Sequence, residues 1–355
     1  MNPSRPVDSG ISRKIANLGL LAAIVVVVAH MPPAREVGGY KFLHEIFPAC
    51  LVKPAVCFFF AVSGYLLAGH CGERGWWKAA LSRRWRTLVI PYFALNALCA
   101  LPRILAQLTG LSRPSAEVKA VVFDWRLPFD VFGLIDPAPP DNVALWYVRC
   151  LVLLVILSPL LHALVSRSRV RALAFCLLLL CIAETYAILP ALGHDLPPWW
   201  RRMFSYCLSL DGLAFFTAGM VLRLWDFRLS CGRLSGGLAF AAGVAAMTFF
   251  AGCGWCGAAL ILPARMLIVL GAWALIPPSP WPRELTALAF PIYVLHVPVL
   301  HVFCVLLRKF NLMPWVFSFV GFALFWGCCV GVAAACGWMI RRRFPRLTDV
   351  LFGGR

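Results

Sequence analysis

Apolar runs of about twenty residues recur along the whole chain, and they restrict its possible folds more than any other feature. A helix of this length crosses the hydrocarbon core of a bilayer and satisfies its backbone hydrogen bonds internally. Only 14% of the residues are charged, well below the share of about 25% in soluble domains. The sequence therefore predicts an all-α, polytopic membrane helix bundle, organised as a single domain over 1–355.

Ten membrane spans are predicted from these runs, and Lys and Arg in the segments between them set the orientation. About twice as many of these cations fall on the side of the N-terminus as on the opposite side. By the positive-inside rule, both termini are expected to be cytoplasmic, in a membrane that borders the cytoplasm. The predicted spans are 17–33, 47–69, 86–105, 144–165, 170–192, 203–222, 234–253, 257–277, 286–307 and 315–339.

One predicted outer connection, 106–143, is much longer than the others. Long connections are more often functional than idle. It is interpreted either as a lid or acceptor surface over the outer mouth or as an irregular tether.

The net charge of +18 does not predict a nucleic-acid partner, because the cations cluster in short segments between apolar runs. Most of the 15 cysteines lie inside those runs, where a free cysteine acts as a small hydrophobe. Cys253 and Cys256 form one CxxC in a short loop. Zinc needs two more ligands nearby, so no metal is expected, whereas a disulfide at this pair stays open.

Ionisable side chains inside a membrane span cost free energy and therefore indicate function by default. Such side chains can point into one interior cavity and supply it with an acid, a base and a cation. The plainer interpretations are an ion pair that ties helices together, with Arg149 paired to Asp211 or Glu184, and a histidine that only ends its helix at the outer interface. The candidates are His30, Lys53, Arg149, Glu184, Asp211, Arg265 and His296.

A cluster of arginines, Arg83, Arg84 and Arg86, precedes Pro91 at the cytoplasmic start of the third span. Orientation alone explains many such clusters. Arginine also pairs bidentately with phosphate, so the cluster is equally suited to a nucleotide-like cofactor.

Five short motifs in a fixed order resemble the integral-membrane acyltransferase-3 family, which includes bacterial O-acetyltransferases that act on surface and secreted glycans. The C-terminal segment FPRLTDVLFGGR is similar to the ending of that family. The motifs are NLGLLAAIVVVVAH (17–30), FFFAVSGYLLAGH (58–70), RRWRTLVIPYF (83–93), ALWYVRCLVLL (144–154) and FPIYVLHVPVL (290–300).

This resemblance implies transfer of an acyl group, with acetyl expected, from acyl-CoA to a hydroxyl of a glycan or lipid-linked sugar. It implies that His30 is the general base and that Glu184 or Asp211 orients its ring. The donor's phosphates would bind Arg83, Arg84 and Arg86, and its thin arm would pass between helices at Ser63 and Gly64. The implied acceptor contacts are Trp146, Arg149, Tyr293 and His296.

The chain departs from the family pattern at Gly19, where the family usually has an arginine eleven residues before the histidine. Which cation replaces that arginine is left open by the sequence. A transporter or flippase for a glycan or acyl group is the competing hypothesis, since buried charges and a central cavity serve either function. A third is a non-catalytic membrane partner in an assembly.

Overall fold

The structure is a computed structural model that describes residues 7–31, 48–110, 121–134, 140–227, 232–250 and 254–354. Over these residues the chain forms helices and no β-strand. The CxxC cannot be assessed, because Cys253 lies outside the described residues. The α-helices are α1 (Ser9–Val26), α2 (Lys53–Ala68), α3 (Trp76–Arg84), α4 (Ile90–Leu108), α5 (Leu127–Val131), α6 (Trp146–Val165), α7 (Arg169–Ile188), α8 (Pro198–Arg202), α9 (Leu210–Leu224), α10 (Arg233–Phe250), α11 (Gly254–Leu275), α12 (Arg283–Thr286), α13 (Ala289–Lys309), α14 (Met313–Val316), α15 (Phe319–Arg343) and α16 (Pro345–Phe352).

The predicted membrane bundle is confirmed. Among the described residues, eight helical segments are long and apolar enough to cross a membrane, and two shorter apolar helices lie at Arg233–Phe249 and Leu260–Leu275. Together they place a helix at each of the ten predicted spans. The eight segments are Ser9–His30, Cys50–Ala68, Trp76–Leu108, Val143–Val165, Arg169–Ile188, Pro198–Leu224, Ala289–Lys309 and Phe319–Arg343.

The orientation of the bundle stays a prediction from the charge bias. "Inner" here denotes the side assigned to the cytoplasm, and "outer" denotes the opposite side.

The third span is longer than predicted, because α3 continues into α4 through a π-helical turn, Trp85–Val89. In this turn the Ile90 N–H donates to the Trp85 carbonyl, one residue further back than in an α-helix. Pro91 follows directly and has no N–H to donate. Such turns occur frequently at functional sites, and this one lies within the arginine cluster.

Helices α2 and α9 pack against each other at backbone distance. A Cβ added at Gly64 would lie 1.9 Å from the Phe216 carbonyl oxygen, and one at Gly219 would lie 1.9 Å from the Ala61 carbonyl oxygen. Small residues permit this close approach of membrane helices. The contact fixes the position of α2, and with it Ser63, in the centre of the bundle.

Pro298 lies inside α13 and cannot donate to the carbonyl of Val294. The side chain of Asn142 takes over that role, since its Nδ2 donates to the Val294 oxygen over 3.0 Å. The Asn142 backbone N–H in turn donates to Asn96 Oδ1 over 2.9 Å, and both asparagines are fully buried. The outer connection is thereby joined to α13 and α4.

The described parts of the outer connection are packed onto α4 and α6. Tyr92 donates to the Phe132 carbonyl over 2.6 Å, and Arg103 forms an ion pair with Asp141 over 2.6 Å. Whether this connection serves as a lid or acceptor surface stays a prediction.

Candidate functional site

A cavity of about 730 Å³ lies between α2, α3, α6, α9 and α13 and extends from the connection after α2 to the first turns of α6. Its volume is within the range of small-molecule binding sites. Three arginines line it: Arg83, Arg84 and Arg223. Ser63, Tyr147 and Tyr293 also line it, and they lie deeper between the spanning helices. The cavity therefore combines cations with a deep polar and aromatic wall.

The arginine cluster faces the cavity only in part. Arg84 is half-buried and close enough to Tyr147 for an electrostatic interaction. Arg83 also lines the cavity, whereas Arg86 is exposed and does not. Two of the three predicted donor-binding arginines thus line the cavity, whereas the third, within the π-helical turn, does not.

Sequence reasoning missed Arg223 as a site residue, because a cation at the inner end of α9 is explained by orientation alone. Its Nη1 donates to the Tyr65 hydroxyl over 3.3 Å, and its guanidinium lies 5.2 Å from the centre of that ring. The sequence did contain one indication. Gly219 lies four residues before Arg223, on the same face of α9, and small residues are typical of the faces on which membrane helices pack.

A chain of polar aromatic contacts forms the deep wall. Ser63 Oγ lies 3.2 Å from Tyr147 Oη, and the rings of Tyr147 and Tyr293 meet edge to face at 5.9 Å. Tyr293 donates its hydroxyl proton to the Ala144 carbonyl. Gly64, by contrast, lies against α9 and does not line the cavity, so its predicted donor contact stays a prediction.

Two histidines from distant parts of the chain meet beyond this wall. The rings of Tyr293 and His296 are 6.2 Å apart, and those of His296 and His30 are 5.0 Å apart. His296 is fully buried, and His30, in the 3₁₀ turn Val27–His30 that ends α1, is half-buried. His30 and His296, for which the sequence predicted separate roles, are therefore neighbours.

His296 has one occupied and one free ring nitrogen. Its Nδ1 lies 3.2 Å from the Ile292 carbonyl oxygen. Its Nε2 is buried and has no hydrogen-bond partner among the residues that the structure describes. A buried polar atom left without a partner costs free energy, which often indicates function.

The two candidate carboxylates lie elsewhere, in a polar cluster with Arg265. Arg265 Nη1 donates to Asp211 Oδ2, and Glu184 interacts electrostatically with both. Neither carboxylate lines the cavity, and the Phe60 ring approaches both Gly212, next to Asp211, and the Tyr147 ring, the latter at 4.6 Å. The expected ion pair of Asp211 is therefore present, but with Arg265 rather than Arg149. A role of Glu184 or Asp211 in orienting His30 stays a prediction.

The predicted acceptor contacts Trp146 and Arg149 lie at the outer start of α6. The Trp146 ring approaches Phe60 at 6.4 Å and Tyr206 at 6.5 Å. Arg149 is buried and donates to the backbone carbonyls of Tyr206, over 2.9 and 3.1 Å, and of Gly133. It joins α6 to the outer connection and to the segment before α9.

Gly19 lies next to the cavity wall. A Cβ there would lie 4.0 Å from the ring of Phe59, which lines the cavity. Lys14, earlier on α1, points instead at α11, where its Nζ donates to the Trp273 carbonyl over 3.0 Å. The arginines that line the cavity come from α3 and α9.

No group of three or more His, Cys, Asp or Glu side chains among the described residues is placed to hold a metal ion.

Two comparisons with known proteins match most of the chain. A family model described as an acyltransferase domain matches residues 18–334. The succinoglycan biosynthesis protein ExoH of Rhizobium meliloti (strain 1021) is 26% identical over 371 residues, which cover 98% of this chain and 94% of that protein. No solved structure gives a significant match.

Proposed function

The chain belongs to the acyltransferase family, and we propose that it moves an acyl group from acyl-CoA to a hydroxyl of a glycan. The observation that carries this proposal is that an arginine-lined cavity and a histidine pair share one wall, formed by Tyr293. The cavity reaches Tyr147 and Tyr293, and the Tyr293 ring lies 6.2 Å from His296, which is paired with His30.

The cavity fits a donor that carries phosphates. Guanidinium groups bind phosphate bidentately, and Arg83, Arg84 and Arg223 supply three of them around one space. The thioester arm would extend along Ser63 and Tyr147 toward the histidines. Donor entry from the cytoplasm is the expected consequence, because the cavity is also lined by His70 and Glu73, in a connection assigned to the inner side.

The histidine pair fits the removal of a proton from the acceptor hydroxyl. His30 is the proposed general base, since imidazole is suited to proton transfer near neutral pH. The hydroxyl oxygen attacks the thioester carbon, the carbon–sulfur bond breaks, and the proton held by the imidazole passes to the departing thiolate. The products are an O-acyl ester and free coenzyme A, so atoms and charge balance.

A glycan acceptor is proposed from two observations. ExoH, which is similar to this chain over nearly its full length, is named for the biosynthesis of succinoglycan, a polysaccharide. His30 also lies at the predicted outer end of α1, where a glycan at the outer face of the inner membrane reaches it. Acetyl is the proposed acyl group.

The proposal is tested by mass spectrometry of surface glycans from a deletion strain that carries either the wild-type gene or His30→Gln. Wild type is expected to restore an acyl modification that the deletion strain lacks, and His30→Gln to leave it absent at equal membrane levels. Equal acylation by both would refute the role of His30. A deletion that changes glycan export but not acylation would favour the transporter hypothesis instead.

A further inference from the structure

The tautomer of His296 follows from its surroundings. A backbone carbonyl only accepts hydrogen bonds, so the contact of Nδ1 with the Ile292 oxygen requires a proton on Nδ1. In neutral imidazole the other nitrogen is then an acceptor. The buried Nε2 of His296 is therefore a lone pair that needs a donor, and no described residue supplies one.

His30 is placed to supply that donor. Two imidazoles joined by an N–H···N bond of about 3 Å have ring centres about 5 Å apart, since each nitrogen lies about 1 Å from its ring centre. The observed separation is 5.0 Å, with the ring planes 37° apart. A rotation of the His30 ring that directs one of its nitrogens at His296 Nε2 would close such a bond.

We propose that His296 is the positioning residue of the catalytic pair: its Nε2 accepts a proton-bearing nitrogen of His30 and fixes the His30 tautomer. This inference rests on the proposed function of His30 as general base. The order of donors is then fixed from helix to substrate: His296 donates to the Ile292 carbonyl, His30 donates to His296, and the second nitrogen of His30 accepts from the acceptor hydroxyl.

The arrangement assigns to a neutral imidazole the part that a carboxylate has in a Ser-His-Asp triad. A carboxylate would also stabilise imidazolium by its charge, whereas His296 only holds the ring and tautomer. The histidine pair therefore needs no buried negative charge, which is consistent with the separate location of Asp211, paired with Arg265.

Three substitutions of His296 separate this role from simple packing. Gln places an amide oxygen near the position of Nε2 and keeps an acceptor. Asn keeps a donor near Nδ1 but has no acceptor at the Nε2 position, and Phe keeps only the ring shape. Acyl transfer by the purified protein from acetyl-CoA to glycan is expected to fall about 100-fold in kcat for Asn and Phe and less than tenfold for Gln. The KM for acetyl-CoA is expected to stay within about twofold of wild type.

A double substitution gives the decisive readout. If His296 acts only through His30, then His30→Gln combined with His296→Phe is no slower than His30→Gln alone. His194→Gln, an exposed histidine in the connection after α7, is the matched control and leaves kcat unchanged.

Additive losses in the double variant, or equal rates for His296→Asn and His296→Gln at equal thermal stability, would overturn the positioning role. If wild-type protein transfers no more acetyl group from acetyl-CoA to glycan than a protein-free control, the proposed function on which the positioning role rests would be overturned instead.

Discussion

Within each sequence motif, some side chains line the cavity and others do not. Arg84 faces Tyr147 in the cavity, whereas Arg86, two residues later, is exposed outside it. Ser63 reaches Tyr147, whereas the adjacent Gly64 packs against α9. A motif read from sequence identifies the segment that matters, and the direction of each side chain decides which of its members meets the ligand.

Arg84→Gln is expected to weaken acyl-CoA binding about tenfold or more, because a hydrogen bond to a charged group contributes about 1.5–3 kcal/mol. Arg223→Gln is expected to have a similar effect and Arg86→Gln a smaller one. Binding of labelled acetyl-CoA to detergent-purified protein measures this. Arg74→Gln, an exposed cation on the same side that does not line the cavity, is the control. Unchanged affinity in Arg84→Gln would mean that the donor's phosphates bind elsewhere.

At the scale of helices, two devices hold the site in place. The close packing of α2 on α9 positions Ser63 from one side, and the bond from Asn142 to the carbonyl freed by Pro298 positions α13 from the other. Hydropathy could not predict either contact, because it indicates how deep a residue lies in the membrane but not which helix the residue packs against. This is also why the sequence grouped Glu184 and Asp211 with His30.

Gly64→Ala is expected to destabilise the bundle by at least 1–3 kcal/mol, about the cost of overpacking a core, since its Cβ would overlap the Phe216 carbonyl. Gly331→Ala is the matched control, because nothing lies within 4 Å of a Cβ there. Alanine favours the helix by about 0.5–1 kcal/mol over glycine, so this control is expected to be neutral or slightly stabilising. Thermal unfolding in detergent compares them. Equal melting temperatures would refute the close packing of α2 on α9.

Asn142→Ala is expected to destabilise the protein by about 1–3 kcal/mol, because it leaves the buried Val294 carbonyl without a donor. Pro298→Ala supplies a backbone N–H to that carbonyl. In the Pro298→Ala background, the cost of Asn142→Ala is therefore expected to shrink. A double-mutant cycle on the unfolding free energy checks this coupling, and strictly additive losses would contradict it.

For the whole molecule, the sequence predicted the membrane bundle and, among the described residues, the positions of its eight long and two shorter apolar helices, because apolar length is a local property. Through the resemblance to a family it also pointed to residues that line the cavity: Ser63, Arg83, Arg84 and Tyr293. It could not predict that His30 and His296 meet, since that depends on how the first long helix packs against the ninth. Arg223 was missed for a related reason: its role follows from the space that it faces, which local pattern does not contain.

Acyl transfer by the purified protein in proteoliposomes supplied with labelled acetyl-CoA and glycan tests the proposed function most directly. Wild type is expected to place label on the glycan through an ester bond, which mild alkali releases, and His30→Gln to do so at least about 100-fold more slowly. Labelling by His30→Gln at the wild-type rate, or none by either protein above empty liposomes, would contradict this proposal.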